Sequence, residues 1–323
     1  MNPGSHPTPP TQTLHPDGIR ARAAEVSARA EASGALVPIS TRFEVVEQTG
    51  VRFQLRTLMG RRSKGHAPEA AWERQSLGSA KDPFGPCDPS LLLGDLSDSH
   101  CCVLNKYPAL ADHLLIVTRH WEGQERLLGR NDLHALWRVL QGIDGLGFYN
   151  GGREAGASQA HKHLQILPLP MHPGEPVVPM EARLAHATWQ DGLGRAAGLP
   201  FDHALLRLPT DLHHHPHQAA IASLGAYHRL LAAVDLARRP GDPHQPGPYN
   251  LLVTRRWMLM IPRRQDAWQG LSINALGYAG SLLARDEPER QRIRAVGPMA
   301  LLAHTGHPTG TEPSAGPADP GWI

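Results

Sequence analysis

The stretch Asn150-Gly-Gly-Arg-Glu-Ala-Gly-Ala-Ser-Gln-Ala-His-Lys-His-Leu-Gln165 ends on the pattern HxHxQ and runs on into Ile166-Leu-Pro168. On a strand, residues two apart share a face. His161, His163 and Gln165 then form one polar row, Leu164 and Ile166 face a core, and Lys162 falls near the edge. Three polar side chains in line on a strand that otherwise reads as buried need partners, because each one left unpaired costs about 1–3 kcal/mol. A phosphate chain would supply them. Just upstream, Gly156, Ala157, Ser158 and Gln159 are small or flexible, and small residues let backbone N–H groups come close to an anion.

That row suits nucleotidyl transfer. An unprotonated imidazole nitrogen can attack an α-phosphorus and hold the nucleotidyl group as a phosphoramidate, which splits one displacement into two easier ones. Its other ring nitrogen should donate to a fixed acceptor, such as a backbone carbonyl. His163, in the middle of the row, is the expected nucleophile. His161 and Gln165 are expected to orient it or to donate to phosphate oxygens.

Working outward, the chain alternates between strand and helix signals. Phe43 to Arg56 holds two alternating runs around Thr49-Gly50 and predicts a hairpin. Strands are expected at Cys101–Asn105, His113–Thr118, from Gly147 to Asn150, and at His161–Leu169, Asn250–Thr254 and Trp257–Ile261. Helices are expected over 21–32, after the capping pair Asn131-Asp132, over 220–238 and over 272–285. Strands joined mostly by hairpin-like connections, with helices between groups of them, predict an α+β fold with an antiparallel sheet rather than a doubly wound parallel one. Both ends are rich in Pro, Thr and Gly, so tails are expected at 1–20 and 301–323.

Bulk properties narrow the class. The 323 residues carry 32 Lys and Arg against 30 Asp and Glu, a formal charge of +2 that gives no broad electrostatic grip on nucleic acid. No apolar run approaches a membrane span, and the first residues lack the order of a secretory signal. Three cysteines with no CxxC pair make a disulfide framework unexpected, and a reducing cytoplasm is the expected setting. Most of the 20 histidines are expected to be structural or solvated. His213, His214, His215 and His217 flank Pro216 without paired ligand spacing and read as a solvated loop. His113 is either a site-lining or a hydrogen-bonded structural histidine.

The segment resembles the histidine-triad superfamily, in the branch where the last histidine is glutamine, and more closely the diadenosine tetraphosphate phosphorylases, or ATP adenylyltransferases. Leu104-Asn-Lys-Tyr-Pro-Ala-Leu-Ala-Asp-His-Leu-Leu-Ile-Val-Thr-Arg119 carries the likeness too. So do Tyr249-Asn-Leu-Leu-Val-Thr-Arg-Arg-Trp-Met-Leu-Met-Ile-Pro-Arg263 and Ser272-Ile-Asn-Ala-Leu-Gly-Tyr-Ala-Gly-Ser281. The resemblance implies a histidine-triad-like antiparallel sheet over 21–170, with a part at 171–300 that completes sheet and pocket. It implies phosphorolysis of diadenosine tetraphosphate to ATP and ADP through an adenylylated His163, assisted by Gln165. Asn105 and Lys106 would lie beside the nucleoside, and Asn150 and Gly156 to Gln159 along the phosphates. Lys64, with Arg61 and Arg62 as rivals, would contact phosphate, and Asn250 and Arg263 are further expected contacts.

The expected partners are adenine nucleotides, dinucleoside polyphosphates and inorganic phosphate, with no nucleic acid and no membrane. Magnesium would accompany the polyphosphate, without a dedicated metal site or a tightly bound cofactor. Three other readings share parts of this pattern: a dinucleoside polyphosphate hydrolase, a hexose-1-phosphate uridylyltransferase, and a nucleotide-binding sensor without catalysis. The missing paired Cys/His ligands count against the second.

Overall fold

The structure, a computed structural model, describes residues 13–59 and 82–309. Helix α1 covers Ile19–Ala32. The hairpin β1 (Thr41–Gln48) and β2 (Val51–Leu58) turns at Thr49-Gly50, with Gln48 opposite Val51. Then come β3 (Leu92–Asp95), β4 (His100–Leu104), β5 (Leu114–Thr118), helix α2 (Arg130–Gly142), β6 (Gly145–Gly151) and β7 (His163–Pro168). Helix α3 (Glu181–Leu184) precedes the short strands β8 (Ala187–Gln190), β9 (Leu193–Ala196) and β10 (Ala204–Arg207). Helix α4 (Pro216–Ala233) leads to β11 (Tyr249–Val253) and β12 (Trp257–Pro262). Last come the two-residue strands β13 (Ala267–Trp268) and β14 (Leu271–Ser272), helix α5 (Ala275–Ala279), β15 (Ser281–Ala284), and helices α6 (Glu287–Val296) and α7 (Pro298–Thr305).

Ten strands form one sheet in the order β3-β4-β5-β7-β6-β11-β12-β10-β9-β8, antiparallel at every pairing. This is the α+β architecture expected from the hairpin-like connections. The sheet runs without a break from the first half of the chain into the second, because β6 pairs with both β7 and β11.

Two cores form on its two faces. On one, α1, α2 and α4 cover the sheet: Leu133, Trp137 and Leu140 of α2 and Tyr227 and Leu230 of α4 meet Ile116, Leu164, Ile166 and Leu251. Trp137 is fully buried, and its indole N–H donates to Ser223 Oγ at 3.0 Å, so the large ring costs no unpaired donor. On the other face, the β1-β2-β15 sheet and the C-terminal helices pack on Leu146, Phe148, Leu252 and Leu259. This second core ends before β4 and β5, where only a small cluster around Cys101, Val103, Leu115 and Val117 covers the sheet. The uncovered part of that face is where a ligand can reach the strands.

Several expectations need correction. The helix expected over 272–285 is the short α5: Gly280, at φ +95°, ends it, and Ser281–Ala284 leaves as a strand parallel to β2. Helix α3 and strands β8, β9 and β10 lie between 170 and 220, and α6 and α7 lie beyond 285, where the sequence predicts no element. Residues 13–20 and 301–309, expected within the tails, belong to the fold instead. Leu14, Ile19, Leu301 and Leu302 are buried, and Leu14 N donates to Asp95 O along the outer edge of β3. The apolar residues within these Pro- and Gly-rich stretches are enough to anchor them. Helix α2 is capped by Asp132 at its third position, which accepts from Gly129 N at 2.6 Å. Arg255, in the turn between β11 and β12, donates to the Leu140 and Gln141 carbonyls at the far end of α2.

Candidate active site

Strand β7 places His163 opposite Val117 and Gln165 opposite Leu115 of β5, so both point from the same, uncovered face. There they line a cavity of about 800 Å³ together with Asn105, Lys106, Ser158 and Gln159. Its outer wall is the loop from Asp82 to Pro89, including Phe84 and Cys87.

His163 is held and deprotonated. Its Nδ1–H donates to the carbonyl of His161 at 2.8 Å, which fixes the tautomer and leaves Nε2 with no hydrogen bond from any described residue. Burial lowers its pKa to about 4, so the ring is neutral at pH 7 and the lone pair on Nε2 is available. Beyond β7 the regular ladder stops, and Gln124 replaces it. The His163 N–H donates to Gln124 Oε1 at 2.8 Å, while Gln124 Nε2 donates to the carbonyls of Asn150 and His163.

Gln165 is oriented by a relay. The Tyr107 N–H donates to Asn105 Oδ1, which turns Asn105 Nδ2 toward His113 Nδ1 at 3.0 Å; His113 Nε2–H then donates to Gln165 Oε1 at 2.9 Å. With its carbonyl taken, Gln165 presents its NH₂ group as the remaining polar end. Burial brings the pKa of His113 to about 4, consistent with the neutral ring the relay requires. Of the two readings for His113, hydrogen-bonded structural histidine describes its contacts, though the group it orients lines the cavity.

His161 lies outside β7, bridged only to Gly123, so the expected strand starts two residues late. Its ring is buried between Asp82, 2.7 Å from Nδ1, and Thr118, whose Oγ and carbonyl lie 2.8 and 2.9 Å from Nε2. Both nitrogens are engaged by protein, so the ring offers no free nitrogen to a ligand. The Phe84 ring sits 5.2 Å from the His163 ring and 5.8 Å from that of His161.

The remaining expected residues divide. Ser158 and Gln159 reach the cavity, and Ser158 makes no hydrogen bond with a described residue. Gly156 and Ala157 do not line it. The Gly156 N–H donates to Arg153 O and the Ala157 N–H to Gly152 O, so neither N–H is open to an anion. Gly156 serves packing instead: at φ +87°, a Cβ there would meet the Ile273 carbonyl at 2.7 Å. Asn150 Oδ1 accepts from Asn250 Nδ2 and from the Ala275 N–H, and its amide nitrogen has no described partner. Lys64, with Arg61 and Arg62, lies outside the described residues.

Asn250 and Arg263, expected as ligand contacts, are not. All five guanidinium N–H groups of Arg263 are used, by Thr305 O, Ala155 O, Asn250 Oδ1, Gln265 O and Ile273 O. Asn250 spends both amide hydrogens on Asn150 Oδ1 and Ala155 O. Both side chains are buried, and they brace the 152–156 turn from beneath. Lys162, expected near an edge, is also buried. It faces α2, where Nζ donates to Asp132 Oδ2 at 2.7 Å. Burial would raise the Asp132 pKa, but His100 and Lys162 together bring it down to about 2. The His213–His217 tract is a short turn and helix start, and among the described residues no group of three His, Cys, Asp or Glu could hold a metal. No helix there is long and apolar enough to cross a membrane.

Asp82, Phe84, Thr118 and Gln124 escaped the sequence reading. They lie in loops or at a strand end, and no spacing links them to the histidines they touch.

Residues 9–186 match the Ap4A phosphorylase N-terminal domain and residues 197–308 the ATP adenylyltransferase C-terminal domain. From Saccharomyces cerevisiae, diadenosine 5',5'''-P1,P4-tetraphosphate phosphorylase 2 is 28% identical over 245 residues, and Protein APA1 is 26% identical over 242. Each alignment spans 68% of this chain and 74% of the yeast protein. The crystal structure of yeast Ap4A phosphorylase Apa2 superposes with a TM-score of 0.71 at 21% identity, covering 91% of this chain and 99% of that one. Its complex with Ap4A gives 0.70 at 21%, with the same coverage. The first of these matched regions alone takes in more than half of the sequence, and the chain belongs to the Ap4A phosphorylase family of nucleotidyltransferases.

Proposed function

We propose that this chain cleaves diadenosine tetraphosphate by phosphorolysis to ATP and ADP, with His163 carrying AMP between the two steps. The observation that carries this reading is the state of His163: buried, neutral, pinned through Nδ1, and open at Nε2 toward a nucleotide-sized cavity.

In the first step, Nε2 attacks the α-phosphorus, an N–P bond forms, and the P–O bond to the departing ATP breaks. Positive charge develops on the ring as the adduct forms, and the Nδ1–H bond to the His161 carbonyl stabilises it. In the second step, an oxygen of inorganic phosphate attacks the same phosphorus, the N–P bond breaks, and ADP leaves. A pyrophosphate-type leaving group needs no proton at neutral pH, so positioned donors matter more than a general acid. Gln165 NH₂, Lys106 and Ser158 are the donors proposed for the phosphoryl oxygens, with Asn105 and Tyr107 beside the nucleoside. Asn150 would add its amide nitrogen. Magnesium enters this scheme as a companion of the substrate's phosphates. The yeast structures solved with AMP and with Ap4A support adenine nucleotides as the ligand class.

The test is the product profile of diadenosine tetraphosphate with and without phosphate, for wild type and His163→Ala. Phosphate-dependent ATP plus ADP, reduced at least about a thousandfold in the variant, is expected. Turnover without phosphate would make the chain a hydrolase. Bound nucleotide with no turnover would make it a sensor.

A further inference from the structure

Two of the three cysteines meet at the cavity, Cys87 in its lining and Cys101 buried behind it. Cys87 Sγ lies 3.1 Å from Cys101 Sγ, and both are thiols. Cys101 sits mid-strand in β4, paired with Asp95 on one side and Val117 on the other. Cys87 belongs to the loop that lines the cavity, and its Sγ donates to the Phe84 carbonyl at 3.3 Å. Cys102 points to the opposite face of the sheet, among Leu104, Ile116 and Leu133.

We propose that Cys87 and Cys101 are a peroxide-sensitive thiol pair, whose reversible disulfide displaces the cavity wall and lowers nucleotide turnover. Cys87 is the entry point because it faces the cavity. The hydrogen bond from Cys101, with the charge of Arg119, also favours its thiolate. Its sulfur attacks one peroxide oxygen, the O–O bond breaks, and Cys87 becomes a sulfenic acid as water leaves. Cys101 sulfur then attacks the Cys87 sulfur. The S–O bond breaks, and the departing hydroxide takes the Cys101 proton as a second water. Two thiols lose two electrons and the peroxide gains them; an external dithiol reverses the step.

A disulfide needs its sulfurs at about 2.0 Å, so they must close by roughly 1 Å. Cys101 is held by strands on both sides, and the loop must therefore move. That loop carries Phe84 against His163 and Asp82 against His161. A misplacement of this size can cost up to about 100-fold in rate. A nucleotide filling the cavity covers the approach to Cys87 and slows the oxidation.

The experiment exposes the full chain to hydrogen peroxide, alkylates the remaining thiols and maps the peptides. It then measures diadenosine tetraphosphate turnover and ADP affinity before exposure, after it, and after dithiothreitol. The expected result is a Cys87–Cys101 link with Cys102 alkylated, a loss of about 10- to 100-fold in turnover, recovery with dithiothreitol, and slower linkage when ADP is present. Cys101→Ser should keep its activity through the same exposure. Cys87 overoxidised without a link, or a linked chain with unchanged turnover and ADP affinity, would overturn the proposal. Mapping uses the wild-type chain and needs no variant to fold. The turnover arm rests on the phosphorylase reading, whereas linkage and ADP affinity do not, so the two failures are distinguishable.

Discussion

Two polar clusters lie on neighbouring parts of the same sheet, and they differ in what they leave undone. Around Arg263, every guanidinium N–H has an acceptor, and Asn250, Ala155, Gln265, Ile273 and Thr305 close the network on itself. Around His163 the network is fully made behind the row, through Gln124, His113 and the His161 carbonyl, and open in front at Nε2. Both are buried and both follow strand periodicity. Burial and polarity alone therefore do not mark a site. An aimed group without a protein partner does.

The comparison can be broken in four ways. The largest effect is expected from Arg263→Met, which leaves Asn250 Oδ1, Gln265 O and Ile273 O without their donor and should lower unfolding free energy by about 3 kcal/mol or more. Urea titration should show a lower midpoint, while turnover per folded molecule changes far less. A variant as stable as wild type but inactive would place Arg263 with the site instead.

Acid comes next. Burial lowers the pKa of His113, His163 and His203 to about 4. Between pH 6.5 and 4 the unfolded chain takes up protons on these rings and the folded chain does not, so their contribution is present above that window and is lost as pH falls through it. Each ring should remove up to about 1.4 kcal/mol of stability per pH unit across the window. Unfolding measured from pH 7 to 4 checks this, and a flat profile would contradict neutral buried rings. Over the same range, turnover of the folded enzyme should keep a neutral nucleophile until about pH 4.

A smaller effect sharpens the distinction within the open cluster. His113→Phe removes the group that holds the Gln165 carbonyl and should cut kcat about tenfold with little change in KM. The amide would then be free to flip. Unchanged kcat would mean that the orientation of Gln165 is set elsewhere. The smallest effect is expected for Ser158→Ala, a few-fold rise in KM worth about 0.5–1.5 kcal/mol, from loss of one hydroxyl donor at the cavity. A large fall in kcat there would give Ser158 a transition-state role instead.

Much of this was legible because period-two alternation is a local property. His163 and Gln165 share a face as the HxHxQ spacing requires, and the Thr49-Gly50 hairpin has the expected register. What escaped depends on partners distant in sequence. Lys162 looks like an edge residue until Asp132, 30 residues upstream, meets it beneath α2. Asn250 and Arg263 look like ligand contacts because nothing in their strands shows that Ala155 and Ile273 come to them. The helix expected over 272–285 shows the same gap: its apolar spacing is helical, but Gly280 turns the chain, and β2 offers an edge for Ser281–Ala284 to pair with. The Asp82 carboxylate comes to His161 from a loop with no periodicity to read.

One contact at the sheet's margin bears on how the protein stays dispersed. Strand β3 ends the ten-stranded order, and an edge of that kind is a template for other chains. Thr13 and Leu14 lie along it, with the Leu14 N–H on the Asp95 carbonyl, while Arg138 secures the Leu14 carbonyl from α2. Thr13 and Leu14 thus act as a guard against edge-to-edge association. Shortening the chain to Ile19 would leave the catalytic residues in place and uncover a sticky border, so its cost would appear as aggregation before it appeared as lost turnover.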